Sequence, residues 1–537
     1  MPAESYKALF KYDYRPSADQ DSATSAHHPV IVVGAGPIGL AAAIDLAQRG
    51  VPVVVLDESD RIAEGSRAIC FSKRALELAD RLGVGERMVA KGVVWKVGKI
   101  FLDTDLVTQF DLLPDPGHKR PAFINLQQYY VEAYLVERAR ELHNLDLRWR
   151  NKVCAVTPRQ DGAEITVETP EGPYRLSCDW LIACDGARST VRSQLGLEFL
   201  GRAFDDRFLI VDVRMQAGFP PERWFWFDPP FHHGQSALLH KQPDDIWRID
   251  FQLGPDADPE QETRRERVEP RLRAMLGPDA GFEIDWVSVY TFQCKRMQRF
   301  VHDRIVFAGD AAHQVSPFGA RGANSGFEDA HNLAWKLAAI LKGEAPASLI
   351  DSYACERELA ADDNIGHSTR ATDFISPKSP VARSFRNAVL KLAKDVSFAR
   401  AMINSGRLST PTVYEASPLS TPDDDRWNCA ARIGAAAIDA PLQDAAGRDT
   451  WLLDELGDGF TALHVTDAAC PNAPEGIAVK LIGRDLIDAQ GMFAARYDAR
   501  PGSVYLFRPD QYLCARFRAY DAGRLAAARA CALGKPP

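Results

Sequence analysis

The segment "HPVIVVGAGPIGLAAAIDLAQRGVPVVVLDESD", beginning at His28, constrains the fold more than any other part of the chain. It reads as a strand, a tight turn, a helix and a second strand. Pro29 to Val33 is a short β-branched run, and alanines and leucines then recur at helical spacing until Gly50. Gly34, Gly36, Pro37 and Gly39 fall in the turn, whose glycines spell G-x-G-x-x-G. Gly34 permits the turn, Gly36 lets backbone N–H groups approach a pyrophosphate, and Gly39 lets helix pack on strand. The helix N-terminus adds partial positive charge. The second run ends in Asp57, about 20 residues on, where an acid accepts hydrogen bonds from a ribose. Glu58 is the alternative for that contact, and the pattern alone does not separate NAD from FAD.

Two further strands end in the same way. "YRLSCDWLIACDGARSTVRSQLG" carries Trp180 to Cys184 into Asp185 and Gly186, and "DRIVFAGDAAHQVSPFGARGANSG" carries Ile305 to Ala308 into Gly309 and Asp310. Each aspartate alone reads equally well as a helix cap. Three apolar strands delivering Asp57, Asp185 and Asp310 imply one extended ligand, because open α/β sheets bind ligands at the carboxyl ends of their strands.

At 537 residues the chain is expected to form two or three domains. Its formal net charge of -9 opposes long-range attraction to nucleic acids or anionic membranes, which leaves small molecules as the expected partners. The first 28 residues lack a signal-peptide pattern and read as a flexible arm. No apolar run approaches the roughly 18–20 residues of a spanning helix, so a cytoplasmic protein is expected. None of the ten cysteines is spaced as Cys-x-x-Cys, which disfavours a zinc site or a dithiol redox centre.

The fingerprint at Gly34, "ACDGARS" around Asp185 and "GDAAHQVSPFGARGANSGFEDAHNLAWKLA" from Gly309 together resemble the single-component FAD-dependent aromatic hydroxylases of the p-hydroxybenzoate hydroxylase type. The likeness is greater to their longer branch, phenol hydroxylase and 3-(3-hydroxyphenyl)propionate hydroxylase, and covers roughly residues 30 to 380. The resemblance implies an α/β fold: a Rossmann-like FAD-binding domain, an inserted β-sheet substrate domain and a thioredoxin-like C-terminal domain. In those terms 29–95, 122–198 and 296–350 bind FAD, and 96–121 with 199–295 carry the substrate. A helical segment follows at 351–404, then a linker at 405–427 rich in Ser, Thr, Pro and Asp, then a thioredoxin-like domain without Cys-x-x-Cys at 428–537.

Carried over residue by residue, the resemblance gives the pyrophosphate to Gly34, Gly36 and Gly39 and the adenosine ribose to Asp57. Arg67 matches an arginine near the phosphates, and Gln128 matches a flavin-side glutamine. Asp185 and Gly186 lie near FAD and the nicotinamide route, while Asp310 takes the ribityl and pyrophosphate region. Pro317 rests against the isoalloxazine ring, and Gly322, Ala323 and Asn324 present backbone N–H groups to its pyrimidine edge. Where the family often has Gly-Gln-Gly or Ala-Lys-Gly, this chain has Ala320-Arg321-Gly322. Arg321 reads either as positive charge beside the reduced flavin or as a surface salt bridge.

The implied reaction is hydroxylation of a phenolic ring by O2 through a hydroperoxyflavin, with NADPH or NADH as a transient reductant. No second strand-borne GxGxxG exists, in keeping with transient docking. An oxidase or halogenase on the same scaffold, or a non-catalytic flavin-binding protein, are the alternatives. "WFWFDP" nearly matches a halogenase signature but has Asp228 where that signature has isoleucine. A homodimer is compatible with the resemblance.

Between the second and third acidic strands, "DRFLIVDVRM", "ERWFWFDPPF", "QSALLHKQ" and "DIWRIDFQL" read as successive strands of a substrate sheet. Trp247, Ile249, Phe251 and Leu253 share one face, and Arg248, Asp250 and Gln252 the other, which makes Arg248 a cross-strand partner. Trp224, Trp226, His232, His233, Gln235 and Tyr290 are pocket candidates, with core or surface positions as the alternative. Adjacent His232 and His233 would point oppositely in a strand, so no metal is expected. His313 reads as a structural histidine. Ser325 and Glu328 spell a capping box, which starts the following helix at Ser325.

Overall fold

The computed structural model describes residues 10–21, 25–63, 68–403, 408–469 and 472–535. The fingerprint forms β1 (Ala26–Val33), α1 (Pro37–Gln48) and β2 (Val53–Asp57). β1 runs three residues further back than the β-branched run, because Ala26 to His28 pair with Leu176 to Cys178 of β3 (Gly172–Ala183). A short β4 (Ile305–Phe307) lies on the far side of β3. The four strands are parallel, in the order β4-β3-β1-β2. Val33 lies opposite both Leu56 and Ala183, and Ala183 opposite Phe307, so all four strands end level. Asp57, Asp185 and Asp310 therefore follow strand ends along one edge. Buried continuous apolar runs are what a parallel sheet covered on both faces requires.

Helix α2 (Gly322–Leu341) crosses α1 closely, and the following α3 (Leu349–Ile375) packs behind it. A Cβ on Gly326 would stand 2.6 Å from Ile38 Cδ1, so the approach depends on glycine. One face of α2 is tied to α1 by His331 Nδ1, 2.6 Å from Asp45 Oδ2.

The substrate sheet has eight strands: His313–Gln314, Glu283–Met297, Phe199–Arg214, Ile246–Leu253, Ser236–Lys241, Arg223–Phe227, Val97–Leu102 and Asp105–Asp111, in that spatial order. The insertion after residue 95 is thus stitched to the later segment through Arg223–Phe227, which pairs parallel to Val97–Leu102. The alternation read in "IWRIDFQL" holds. Trp247, Ile249, Phe251 and Leu253 join Leu209, Val211 and Val213 under Val268 and Leu272 of the helix Arg265–Leu276. The opposite face turns toward the nucleotide-binding domain, where Asn125 Nδ2 donates to Lys241 O at 2.8 Å.

Two expectations need correction. The N-terminal arm is docked in its described part: Tyr12 stacks on Trp149 at 4.6 Å, and Asp19 accepts from Arg148 Nη2 at 2.6 Å and pairs with His28 at 2.8 Å. Its aromatics and acids find partners that a composition-based reading does not reveal. Likewise the described part of 405–427 is no free linker, since Leu408, Tyr414 and Leu419 are buried and Ser409 N donates to Gly319 O at 2.8 Å.

The C-terminal unit is a mixed seven-stranded sheet in which Phe460–Val465 pairs parallel with Ile477–Ile482, followed in the chain by the hairpin Val504–Phe507 and Leu513–Phe517 and the helix Ala522–Ala532. It joins the rest through buried charge. Arg508 Nη1 donates to Glu356 Oε1 at 2.5 Å, and Lys336 Nζ donates to Glu356 Oε2 at 2.8 Å. No described helix is long and apolar enough to cross a membrane.

Candidate active site

The three glycines of the first turn meet different surroundings. At Gly34, φ is +102° and a Cβ would stand 2.5 Å from Cys184 O, so both conformation and space require glycine. At Gly39 a Cβ would run into Gly34 O. At Gly36 a Cβ would meet nothing within 4 Å, so bare backbone there faces open space, the room a pyrophosphate needs. Pro37 opens α1, and no side chain caps the helix, which leaves its first amides available to an anion.

Asp57 takes Ala35 N at 2.6 Å on Oδ2 and Ser59 N at 2.8 Å on Oδ1, fixing the turn from the end of β2. Burial pushes its carboxyl above the usual range, and the two amides pull it back. Glu58 is exposed beside it. Asp185 accepts Val191 N at 3.1 Å on Oδ2, but its Oδ1 is sealed from solvent with no partner. A buried carboxylate oxygen without a donor is costly unless a ligand supplies one. Gly186 follows with φ +76° and open space at its Cβ position.

Asp310 is exposed in the short turn Gly309–Ala311 after β4. Its turn is held by residues that sequence reasoning missed. Asp329 of α2, fully buried, accepts Gly309 N at 2.9 Å and pairs with His313 Nε2 at 2.6 Å on one oxygen, and takes Arg357 Nε of α3 at 2.6 Å on the other. Those neighbours hold its carboxyl below the usual range despite burial. Arg192 Nη1 donates to Ala311 O and Nη2 to Ala187 O, both at 2.9 Å, lacing the second acidic turn to the third. The one available signal was a second acid beside Glu328 in the first half of the helix. His313 is structural, as expected.

Beyond Asp310 the chain crosses the mouth of the substrate sheet. Pro317 is exposed, while Phe318 inserts between Phe208 and Phe292, with ring centroids 5.0 and 5.1 Å away. Ala320 has φ +53°, a left-handed conformation that explains why glycine often stands there in the family resembled. Helix α2 starts at Gly322, not at Ser325. Ser325 Oγ instead takes Arg357 Nη2 at 2.8 Å, and Glu328 faces Arg357 and Tyr512, so the capping-box pattern is coincidental. Gly322, Ala323 and Asn324 are consequently first-turn residues of a helix without a side-chain cap, and their amides point out of its N-terminus. The Asn324 side chain accepts Ser72 N at 2.9 Å and donates to Cys70 O at 3.0 Å, clamping the helix start to the strand Cys70–Ser72.

Arg321 is buried at 2% exposure, which overturns the surface salt bridge, and its Nη1 reaches Asn364 Oδ1 at 3.3 Å. Gln128 accepts Ala68 N at 3.0 Å and donates to Glu132 at 2.7 Å, on the nucleotide-binding side. Arg67 lies outside the described residues.

The pocket candidates separate. Tyr290 lies on the face turned toward Phe318, stacked obliquely on Phe292 at 5.5 Å. Trp224 and Trp226 lie on the opposite face, against Phe101, Phe219 and Phe231, and do not line the pocket. His232, His233 and Gln235 sit in the turn between strands: His232 Nε2 lies 2.6 Å from Gln252 O, and His233 is exposed. The cleft beside Phe318 and Gly319 is lined instead by Ile100, Phe110, Phe225 and Arg223. Among the described residues, no group of three or more His, Cys, Asp or Glu is placed to hold a metal ion.

The model of the FAD binding domain family matches residues 27–368. The chain is 32% identical over 508 residues to 12-dehydrotetracycline 5-monooxygenase/anhydrotetracycline 6-monooxygenase of Streptomyces rimosus, covering 91% of this chain and 95% of that one. It is 26% identical over 517 residues to 3-(3-hydroxy-phenyl)propionate/3-hydroxycinnamic acid hydroxylase of Mycolicibacterium smegmatis, covering 90% and 89%. Among solved structures, the flavin-dependent monooxygenase PieE, in complex with FAD and substrate, superposes with a TM-score of 0.82 at 22% identity over 96% of this chain and 100% of that one. The OxyS anhydrotetracycline hydroxylase of Streptomyces rimosus gives 0.72 at 26% identity, covering 95% and 100%.

Proposed function

Because this chain belongs to the FAD binding domain family and is an FAD-dependent monooxygenase, we propose that it hydroxylates a phenolic ring with electrons from NADPH or NADH and an oxygen atom from O2. The observation that carries this reading is the continuity of the strand-end edge with the apolar cleft. One path runs from Gly36 and Asp57 past Asp185 and Asp310 to Pro317 and the bare N-terminus of α2. When bound, FAD supplies the redox chemistry that a closed-shell ring and dioxygen lack.

The protein's own groups then bind, orient and shield. The first amides of α1 take the pyrophosphate, and Asp57, Asp185 and Asp310 accept from the sugar and ribityl hydroxyls. Pro317 offers an exposed flat surface for the isoalloxazine. The amides of Gly322, Ala323 and Asn324 face the pyrimidine edge, where the helix dipole favours negative charge. Arg321, buried behind that edge, adds fixed positive charge. Phe318, Phe208 and Phe292 close the ring side to water, which keeps reducing equivalents from being lost as peroxide. Relatives named for hydroxyphenylpropionate and for tetracycline intermediates support an aromatic substrate.

The test is NADPH and NADH oxidation by the purified holoenzyme across a phenol panel, with mass spectrometry of the products. Substrate-stimulated turnover giving a product heavier by one oxygen is expected. Turnover without oxygen insertion, or none, would reject the assignment.

A further inference from the structure

Two short helices after α3 carry apolar side chains on two faces. In α4 (Pro380–Ala393) and α5 (Ser397–Met402), Val389, Leu390, Ala393 and Ala399 are buried and join the cluster of Phe225, Phe227, Phe318 and Ile375 that backs the cleft. That packing leaves a second row uncovered. Val381, Phe385, Ala388 and Leu392 recur at spacings of four, three and four, which sets them on one stripe of α4, and Phe398 and Met402 stand one turn apart on α5. Val381, Phe385, Leu392, Phe398 and Met402 are 43–79% exposed, and they are five of the eleven large apolar side chains exposed among the described residues. Single exposed apolar residues need no explanation, but such a cluster marks a docking surface.

Charge selects the occupant. From Lys378 to Met402 the chain has six Lys or Arg and one acid, Asp395, within a chain of net charge -9. Lys378 and Lys394 are engaged by Asp206 and Asp105 at 2.5 and 2.6 Å, while among the described residues no carboxylate lies within 4 Å of Arg383 or Lys391. Arg400 donates to Ala393 O and Lys394 O, both at 2.9 Å, and so holds its charge at the end of α4. The stripe and these cations lie within about one helix diameter, ~10 Å, which is comparable with the ~8 Å screening length at physiological salt. Local charge therefore governs what this face attracts, and the acidic remainder of the chain counts for less there.

A second copy of the chain fits poorly. A two-fold contact would set Arg383 and Lys391 against their own copies. Five part-exposed side chains also offer only on the order of 500 Å², against roughly 800 Å² per partner in a stable dimer. At 79 and 63% exposure, Val381 and Phe398 stand out from the helix surface, a shape that a fluid, anionic surface accommodates without a matching pocket.

We propose that α4 and α5 seat the protein on an anionic lipid bilayer, with Phe385, Leu392 and Phe398 entering the headgroup boundary and Lys391 and Arg383 drawn to lipid phosphates. The helices lie on the membrane and do not span it. Their buried sides back the cleft, so the bilayer rests behind the apolar pocket.

The test is flotation of the FAD-loaded full chain with phosphatidylcholine vesicles, with and without about 30% phosphatidylglycerol, in about 0.05 and 0.5 M NaCl. Three variants are compared: the Phe385→Ser/Phe398→Ser pair, the Arg383→Glu/Lys391→Glu pair, and Ile487→Ser, which removes an exposed apolar side chain from the C-terminal unit. The wild type should bind the anionic vesicles roughly tenfold better than the neutral ones and release them at high salt. Each pair should weaken binding by about tenfold or more, while Ile487→Ser binds as wild type does. FAD content and melting temperature should be unchanged in all three. No wild-type flotation, equal flotation with both vesicles, or undiminished flotation of the Phe385→Ser/Phe398→Ser pair would overturn the proposal. So would a wild-type dimer in analytical ultracentrifugation that the same pair dissociates, since the face would then belong to a second copy.

Discussion

His313 Nε2 lies 2.6 Å from Asp329 Oδ2, and the same oxygen accepts Gly309 N at 2.9 Å. One buried carboxylate on α2 thus fixes both ends of the turn that carries Asp310. Asp329→Asn leaves the charge of Arg357 facing a neutral amide and should cost about 3–5 kcal/mol, read by chemical denaturation. Because its partners lower the Asp329 pKa, this stabilisation is present at neutral pH and is lost as pH falls through the carboxylate range. A variant as stable as wild type at pH 7 would show that the pair is dispensable.

Asp310→Ala removes an exposed carboxylate from that turn and leaves its backbone supports, Asp329 and Arg192, in place. It should fold normally yet bind FAD about tenfold more weakly, as measured by the ratio of flavin to protein absorbance after gel filtration. Undiminished retention of FAD would mean that Asp310 does not hold the cofactor.

Ala320 adopts φ +53° between Gly319 and Arg321. Ala320→Gly relieves about 1 kcal/mol of strain and should raise the melting temperature without changing FAD content. A fall in melting temperature would contradict this.

Asp250 has its carboxyl pushed up to about 6 by burial, against the pull of Arg248 and Arg223. A raised acid stabilises the fold below its unfolded value near 4 and loses that contribution as pH rises through about 6. Asp250→Asn should therefore gain stability relative to wild type above pH 6 and little below pH 4. Parallel stability-against-pH curves for the two proteins would refute the shift.

Arg508→Met leaves the Glu356 and Asp510 carboxylates buried without their guanidinium. The expected loss is about 3–5 kcal/mol, seen as earlier unfolding of the whole chain. Independent unfolding of the C-terminal unit alone would argue against coupling.

The alignment of the three acidic turns along one edge was legible because it is local: each acid follows its own strand within a few residues, and a parallel sheet sets those ends level. The substrate face was half legible. The alternation in "IWRIDFQL" separates two faces, but which one meets the flavin depends on the helix Arg265–Leu276 covering Trp247 and Phe251. Trp224 and Trp226 were misplaced for that reason, while Arg223, one residue out of phase with them, went unnoticed. The Ser325–Glu328 pattern misled similarly, because Arg357 of α3 claims Ser325 from 32 positions away. The role of Asp329 was hidden for the same reason, as its partners come from the turn after β4, from the strand His313–Gln314 and from α3.

Glu356 of α3 accepts from Lys336 of α2 and from Arg508 of the C-terminal unit, while Asn332 Nδ2 donates to the same carboxylate at 2.7 Å. Anyone exchanging tails between relatives would have to move these groups together. The unit that can be recombined is set by this cluster of charges, and a splice placed in the Ser- and Pro-rich stretch after residue 408 would cut through a single interior.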